Sequence, residues 1–597
     1  VRRAHWLKGN KGTPLPHAAV WVDTETDQRQ TAPGVLEHTL RFGWACYQRT
    51  RPDGAWTSPE WFRFDSREGL WAWLETKARP RVRLYVYAHN WAFDALVLGM
   101  FDQLPARGWK LTRAIIESPP VIVSWRRDRS TVECLDTLNW WPMPLRDLGA
   151  HVGLPKLRPP GRGSSPSRWD AYCRRDVEVI RRATHEWWQL LRKHELGGYA
   201  KTIAAQAMRA FRHRFLAHRV LIDENIGALL TAREGLFGGR TEAYRIGRVR
   251  GPISCYDVNS MYPDVMTTNE VPTVLRLFAR APTRAEWSRW IASWACVARV
   301  KLVTDEPVYP YRLHGRLVFP VGAFETTLTT PDLRQAAERG HLRSVSAIAL
   351  YESAPLFAPY IEALYKLRSE AIAARDPVNS WLLKLLLNSL FGKFAQRGQV
   401  WSEIGPGEPG AVRTWRDVDY DTGQTDDYAE FGGVIQRRSW EQESHDSHPA
   451  ITAHVTAHAR RRLWQLMERA GRDEVLYVDT DSLWVTSEGA RRLDRLVHPT
   501  ALGALKLVET VEWLLIHGVK DYATPARVVC KGVRSSAVWT TPTTAVQEQW
   551  SGIRAMVELG RLDAPRTKTR VLRLLRRYEK GTVGRDGRVS PIRLAEW

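Results

Sequence analysis

At 597 residues, with 44% apolar and 25% charged side chains, the chain is long enough for several domains and apolar enough for real cores. Lys and Arg number 87 against 65 Asp and Glu, a formal charge of +22 that suits a polyanion such as nucleic acid. No apolar run reaches membrane-spanning length, and no basic amphipathic helix stands out as a membrane anchor. The six cysteines form no CxxC pair, so neither a cysteine-based zinc site nor a disulfide framework is suggested, which fits a reducing cytoplasm. The N-terminal VRRAHWLKGNKG is basic without an apolar segment after it, so no signal peptide is read.

In chain order, residues 18–22 form an apolar strand-like run ending in Asp23, Thr24, Glu25 and Thr26. Asp23 and Glu25 lie two apart, on one strand face. A second strand-like run, 83–87, ends in Tyr87 and leads to His89, Asn90, Phe93 and Asp94. Residues 121–125 and 131–135 read as a hairpin around RRDRS, and a Pro/Gly/Ser-rich loop follows. From Trp169 the pattern is helical, with Tyr172 and Asp176 at i and i+4 on one face. Singly, each acid is more often a cap, a turn or a solvated surface group.

Residues 253–256 form another strand, followed by DVNSMYP, and LFGGR lies upstream of it. WLLKLLLNSLFGKF, 381–394, is a helix by composition and length, with Lys384 and Asn388 at i and i+4. A lysine within so apolar a run argues against a purely buried helix. The helix before it, YIEALYKLRSEAIAAR, offers Lys366 and Arg368. Residues 399–449 are rich in Gly, Asp and Thr, with strand-like pieces at 412–415 and 431–439 around an acidic tip, TGQTDD. EVLYVDTDSLWVTS, 474–487, reads as a hairpin with an acidic tip. Asp479 and Asp481 are two apart, which places them on one side of an extended chain. Crowded carboxylates repel unless a cation sits between them, and hard oxygen ligands suit Mg²⁺. Lys520-Asp521-Tyr522 follows, and the tail RTKTRVLRLLRRYEKG from Arg566 is expected as a basic helix.

YVDTDS resembles the YxDTDS signature of family B DNA polymerases at every fixed position. Six other segments resemble that family's motifs in family order: DxE, Asn-x-x-Phe-Asp and Tyr-x-x-x-Asp of the exonuclease, then DxxSLYP, Kx3NSxYG and K-x-Y. Met261 replaces Leu in the fourth, Phe391 replaces Tyr in the fifth, and Leu236 stands where the linker YxGG has Tyr. The spacing of the motifs resembles the protein-primed branch of phages and linear plasmids, which carries two insertions.

The resemblance implies an α+β multidomain protein, a ribonuclease-H-like 3′-5′ exonuclease domain followed by palm, fingers and thumb on an antiparallel palm sheet. The expected borders are 1–198 exonuclease, 199–265 and 450–525 palm, 266–350 and 399–449 insertions, 351–398 fingers and 526–597 thumb. It implies that Asp23, Glu25, Asp94 and Asp176 hold exonuclease metals, with Tyr172 placing the attacking water. A lysine or arginine, Lys156 or Arg158, would stand near the scissile phosphate. Asp257, the Val258 carbonyl and Asp481 would hold polymerase metals, with Asp479 beside them as a further catalytic acid. Two Mg²⁺ per site are expected, with Mn²⁺ able to substitute. Tyr262, Lys366, Arg368, Lys384, Asn388 and Phe391 would contact the incoming nucleotide. Thr26, Tyr87, His89, Phe93, Gly238, Gly239, Lys520 and Tyr522 would contact DNA, and Thr137-Leu138 sits where the family has another single-strand ligand. The implied partners are DNA template and primer and dNTPs, with a terminal protein as one option for priming; an oligonucleotide or no primer at all stay open. A monomer with no membrane contact, in the cytoplasm of a bacterial host and encoded by a phage or plasmid, is expected. Two rival readings are a 3′-5′ exonuclease with a degenerate polymerase half and a non-catalytic DNA-binding scaffold.

Overall fold

A computed structural model describes the chain except residues 1, 52, 118, 162, 399–400, 419, 422, 424, 439–441 and 596–597. Among the described residues, ten strands join into one sheet at the N-terminal end of the molecule. Its centre is the strand Ala18–Ala32, paired antiparallel with Val35–Arg49 and parallel with Arg83–Ala88. Ala18 to Val22 are almost wholly buried, as expected of a strand covered on both faces. The helix Pro166–Lys193 covers one face, and buried Trp21 donates its indole N–H to Thr184 Oγ1 at 2.7 Å. It starts three residues before Trp169, with proline in its first turn, where the missing N–H costs nothing. The expected hairpin is present as Val121–Arg127 and Ser130–Asp136.

A second sheet of seven strands, antiparallel throughout, holds Thr241–Ala243, Gly247–Val258, Val475–Asp479, Ser482–Thr486 and Leu505–Gly518. The helix Pro449–Ala470 packs on it through a nearly continuous buried face. Between the two halves of this sheet come an insertion that supplies four strands of a five-stranded sheet and two helices, Ala358–Ala373 and Pro377–Phe394. Asp376 caps the second helix by accepting from the Asn379 N–H at 3.0 Å. Its leucines 382, 383, 386, 387 and 390 are buried while Lys384 is exposed. The region 399–449 forms a four-stranded sheet of Trp401–Pro406, Arg413–Val418, Thr425–Phe431 and Val434–Arg438. Thr422 and Gln424 of the expected acidic tip, and Ser439, lie outside the described residues. Asp426 and Asp427 belong to a strand rather than to a tip.

The basic helix expected from Arg566 is a strand, Arg566–Arg573, paired with Thr544–Trp550 and with residues 35–37. The helix-favouring leucines and arginines are overridden because the sheet edge offers ladder partners and buries Arg566 and Thr567. The segment expected as thumb, 526–597, thus contributes strands to several sheets. Its strands 538–573 extend the N-terminal sheet, and Arg593–Ala595 pairs parallel with Val321–Thr329 of the first insertion. No helix among the described residues is long and apolar enough to cross a membrane.

Candidate active sites

The first carboxylate centre lies where the central strand of the N-terminal sheet leaves the core. Asp23 and Glu25 share a strand face, and their carboxylate oxygens lie within 4.8 Å of each other and of Cys173 Sγ. The short helix Trp91–Val97 brings in Asp94, whose Oδ1 accepts from the Thr24 hydroxyl at 2.6 Å. The helix Pro166–Lys193 supplies Asp176 and Tyr172. Lys156 pairs with Asp176 and lies 4.5 Å from the centre of the Tyr172 ring, so it is Lys156, of the two cations considered, that reaches the acids.

Burial, then Asp176, Asp94 and Glu25, push the Asp23 carboxyl well above the usual carboxylate range. Burial, then Asp176, raises Glu25 to about 7, while Asp94 reaches about 7, chiefly by burial. Asp176 is raised by burial against the pull of Lys156. Its Oδ1 is buried and has no hydrogen-bond partner. Four crowded acids, one lysine and an unsatisfied carboxylate oxygen fit divalent cations. Burial also raises the Cys173 thiol far above its ordinary range, and its Sγ lies 3.5 Å from Asp23 Oδ2.

Thr26 and Phe93 lie at the mouth of this centre. Thr26 Oγ1 is 3.2 Å from His38 Nδ1, and Phe93 meets His38 and Trp550 edge-on at centroid distances of 5.4 and 5.0 Å. The sequence reading missed His38 and Trp550. Nothing local marks them, since Trp550 reaches Phe93 only through the late strand Thr544–Trp550. Tyr87, expected to contact DNA, is turned into the core. It is fully buried, stacks on Trp21 and donates its hydroxyl to Tyr199 at 3.0 Å. Alternation along Arg83–Ala88 turns it into the core. His89 has both ring nitrogens engaged, Nδ1 with Thr137 Oγ1 at 2.8 Å and Nε2 with the Met143 carbonyl at 2.9 Å. Burial lowers it to about 4, so it is a neutral brace behind Thr137.

The second centre sits on the antiparallel sheet. Asp257 pairs with Ser482, and the Val258 N–H donates to the Asp481 carbonyl at 2.8 Å, which sets Asp257 against Asp481. Burial, then Asp257, raises Asp481 to about 6. Burial also raises Asp257, against the pull of Lys384 and Lys506. Lys506 was missed; it pairs with Asp257 across Leu505–Gly518. Asp479 does not share Asp481's side of an extended chain. Thr480 has φ 63°, so the pair straddles a tight turn. Asp479 instead accepts from Thr241 Oγ1 at 3.1 Å and lies 3.3 Å from Lys520 Nζ. Lys520 is thereby tied to the hairpin, and Tyr522 packs on Tyr477 and Trp484.

Tyr262 stacks on Phe391 with centroids 4.6 Å apart, joining the segment after Asp257 to the helix Pro377–Phe394. On that helix Asn388 donates to the Lys384 carbonyl at 2.8 Å. Arg368 reaches Ser260 at 3.3 Å, whereas Lys366, two residues earlier, is exposed on another face. Gly239 is where the linker touches the acidic hairpin. A Cβ there would lie 2.7 Å from Thr480 Cγ2, while Gly238 is open to solvent. An open cavity of about 1120 Å³ runs from Asn388, Gly392 and Lys393 to Arg81, Arg83 and Lys201.

A family model described as DNA polymerase type B, organellar and viral, matches residues 167–401. The chain is 26% identical over 480 residues to a DNA-directed DNA polymerase of Enterobacteria phage PRD1, covering 79% of this chain and 78% of that one. It is 28% identical over 205 residues to a probable DNA polymerase of Neurospora intermedia, covering 32% of this chain and 21% of that one. A solved structure of phi29 DNA polymerase with primer-template DNA and incoming nucleotides superposes with a TM-score of 0.69 at 16% identity, over 94% of this chain and all of that one. That likeness establishes the fold. In motif order and in these matches the chain is similar to DNA polymerases of family B.

Proposed function

We propose that the chain is a DNA-dependent DNA polymerase with a separate 3′-5′ exonuclease centre, taking DNA and dNTPs as its partners. The observation that carries this reading is the pair of carboxylate clusters on two different sheets, each set against lysine. A protein that only grips a polyanion gains nothing from acids placed where the anion lies.

The enzymes of this type are metal-dependent. Asp257 and Asp481, with the Val258 carbonyl, would hold Mg²⁺ in the polymerase centre, and Asp23, Glu25, Asp94 and Asp176 would hold it in the exonuclease centre. Such ions stabilise the attacking and leaving oxygens of a phosphodiester. The protein's own groups supply the rest. Lys384 offers a point charge for the triphosphate. The Tyr262–Phe391 stack forms a rigid wall for the incoming sugar, where a 2′-hydroxyl would meet the tyrosine ring. Lys156 balances Asp176 and stands ready for the scissile phosphate, and Tyr172 lies beside it for the attacking water.

Two folded insertions support a processive, strand-displacing enzyme. The second docks on the N-terminal domain, with Phe431 edge-on to Phe101 at 5.6 Å, and also approaches the C-terminal segment, where Gly560 lies near the Val412 carbonyl. Bridging both, it can close a ring around product duplex. Priming by a protein hydroxyl rests on the sequence resemblance of these insertions alone.

Incubation with template, labelled dNTP and Mg²⁺, with and without an oligonucleotide primer, tests the reading. Primer extension is expected. No extension of any primed template would overturn the polymerase assignment. Label on a protein band, with protein from the neighbouring reading frames added, would establish protein priming.

A further inference from the structure

One side-chain cluster lies outside both carboxylate centres, where the N-terminal arm meets the root of the second insertion. His5 belongs to a two-residue strand, His5–Trp6, paired with Leu221–Ile222. His445 and Asp446 lie just before the helix Pro449–Ala470. The two imidazole rings are 4.1 Å apart between centroids. His5 Nε2 is 3.4 Å from Asp446 Oδ1, and His445 Nδ1 is 2.8 Å from the same oxygen. Ligating atoms of all three residues lie within 4.8 Å of one another.

We propose that His5, His445 and Asp446 form a zinc site that staples the N-terminal arm to the base of the insertion, with water as the fourth ligand. Three observations carry the proposal. The first is donor type: two imidazole nitrogens and one carboxylate oxygen suit zinc, whereas Mg²⁺ prefers the all-oxygen centres. The second is spacing. Tetrahedral zinc with ligands at about 2.0–2.1 Å has donor–donor edges of about 3.3 Å. The His5–Asp446 separation of 3.4 Å already has that length. The His445–Asp446 contact must open by about half an ångström to match it, and the His445 side chain is 80% exposed.

The third observation is the surrounding shell. His5 Nδ1 is 2.9 Å from the Arg3 carbonyl, so Nδ1 donates there and Nε2 is the ring atom turned toward Asp446. The other carboxylate oxygen, Asp446 Oδ2, accepts from Arg212 at 2.5 Å and is held in place. A carbonyl behind the histidine and a cation behind the carboxylate are the outer partners that orient metal ligands. The competing arrangement is an imidazolium on His5 paired with Asp446, which needs no metal.

The test uses the full chain carrying Cys173→Ser, stripped with chelator and returned to excess Mg²⁺ so that both carboxylate centres are filled. Zn²⁺ is then titrated by calorimetry. One tight equivalent is expected for this parent chain. His445→Ala and Asp446→Asn should each weaken it by at least about tenfold. Zn²⁺ should raise the thermal midpoint of the parent chain and not that of His445→Ala. If Asp446→Asn fails to fold because Arg212 loses its partner, His445→Ala carries the test alone, since its side chain points into solvent. Equal zinc binding by the parent chain and His445→Ala, or none by the parent chain, would overturn the site and leave the imidazolium ion pair.

Discussion

Gly239→Ala is a one-carbon perturbation aimed at the polymerase centre from behind. The added Cβ would sit 2.7 Å from Thr480 Cγ2, 3.0 Å from its Oγ1 and 3.2 Å from its Cβ. Carbon atoms prefer about 3.5–4.0 Å, so the linker and the hairpin must part by close to an ångström. Thr480 cannot simply yield. It is a β-branched residue at φ 63°, and its N–H donates to the Arg240 carbonyl at 2.7 Å. The displacement therefore passes to Asp481, the next residue. Overpacking of this kind costs about 1–3 kcal/mol. A catalytic group moved by about 1 Å costs about a hundredfold in rate. Single-turnover primer extension should fall by about tenfold to a hundredfold, while degradation of single-stranded DNA, on the other sheet, is unchanged. Thr480→Ser removes the methyl that clashes and keeps the hydroxyl. Combined with Gly239→Ala it should restore much of the rate, a coupling that a double-mutant cycle measures. Extension by Gly239→Ala at the wild-type rate, or no recovery in the double variant, would refute this account of the linker.

Other consequences follow from the same geometry. Without metal, Glu25 and Asp94 keep protons up to about pH 7 in the folded chain but ionise near pH 4 when unfolded. The folded state then binds more protons, so stability falls as pH rises from about 4 to about 7. In chelator, the thermal midpoint of the wild type should drop between about pH 4 and pH 7 more steeply than that of Asp23→Asn with Glu25→Gln; equal slopes would contradict the burial of these acids. Tyr262→Val should raise ribonucleotide incorporation relative to deoxynucleotide, measured by competition, and an unchanged ratio would place sugar selection elsewhere. Replacing residues 407–433 with a short Gly/Ser turn should leave single-nucleotide addition normal but give short products on a primed circle. Long strand-displacement products from that variant would rule out the ring.

Most of the site is written in local sequence because strand and helix periodicity place its acids. Asp23 with Glu25, and Tyr172 with Asp176, come together from spacing alone, and the hairpin around Asp479 and Asp481 was legible from its β-branched flanks. The orientation of Asp479 was not, because the left-handed Thr480 breaks the alternation on which the inference relied. Tyr87 illustrates a related limit. Its position matches a DNA ligand, but the strand buries it against Trp21 and Tyr199, partners far along the chain. The C-terminal region was least legible. Its leucines and arginines favour helix locally, and only the free edge beside residues 35–37, more than five hundred residues away, turns it into a strand. The same pairing delivers Trp550 to Phe93, which no window of the sequence could show.

The central claim is that one chain carries two independent carboxylate centres, one adding nucleotides and one removing them. It is tested most directly by assaying Asp481→Asn and the Asp23→Asn, Glu25→Gln pair side by side on one labelled primer-template, with and without dNTPs. The account predicts that Asp481→Asn shortens the primer but cannot lengthen it. It predicts that the Asp23, Glu25 variant lengthens the primer but cannot shorten it. Loss of both activities in either protein, with its thermal midpoint unchanged, would contradict two separate centres.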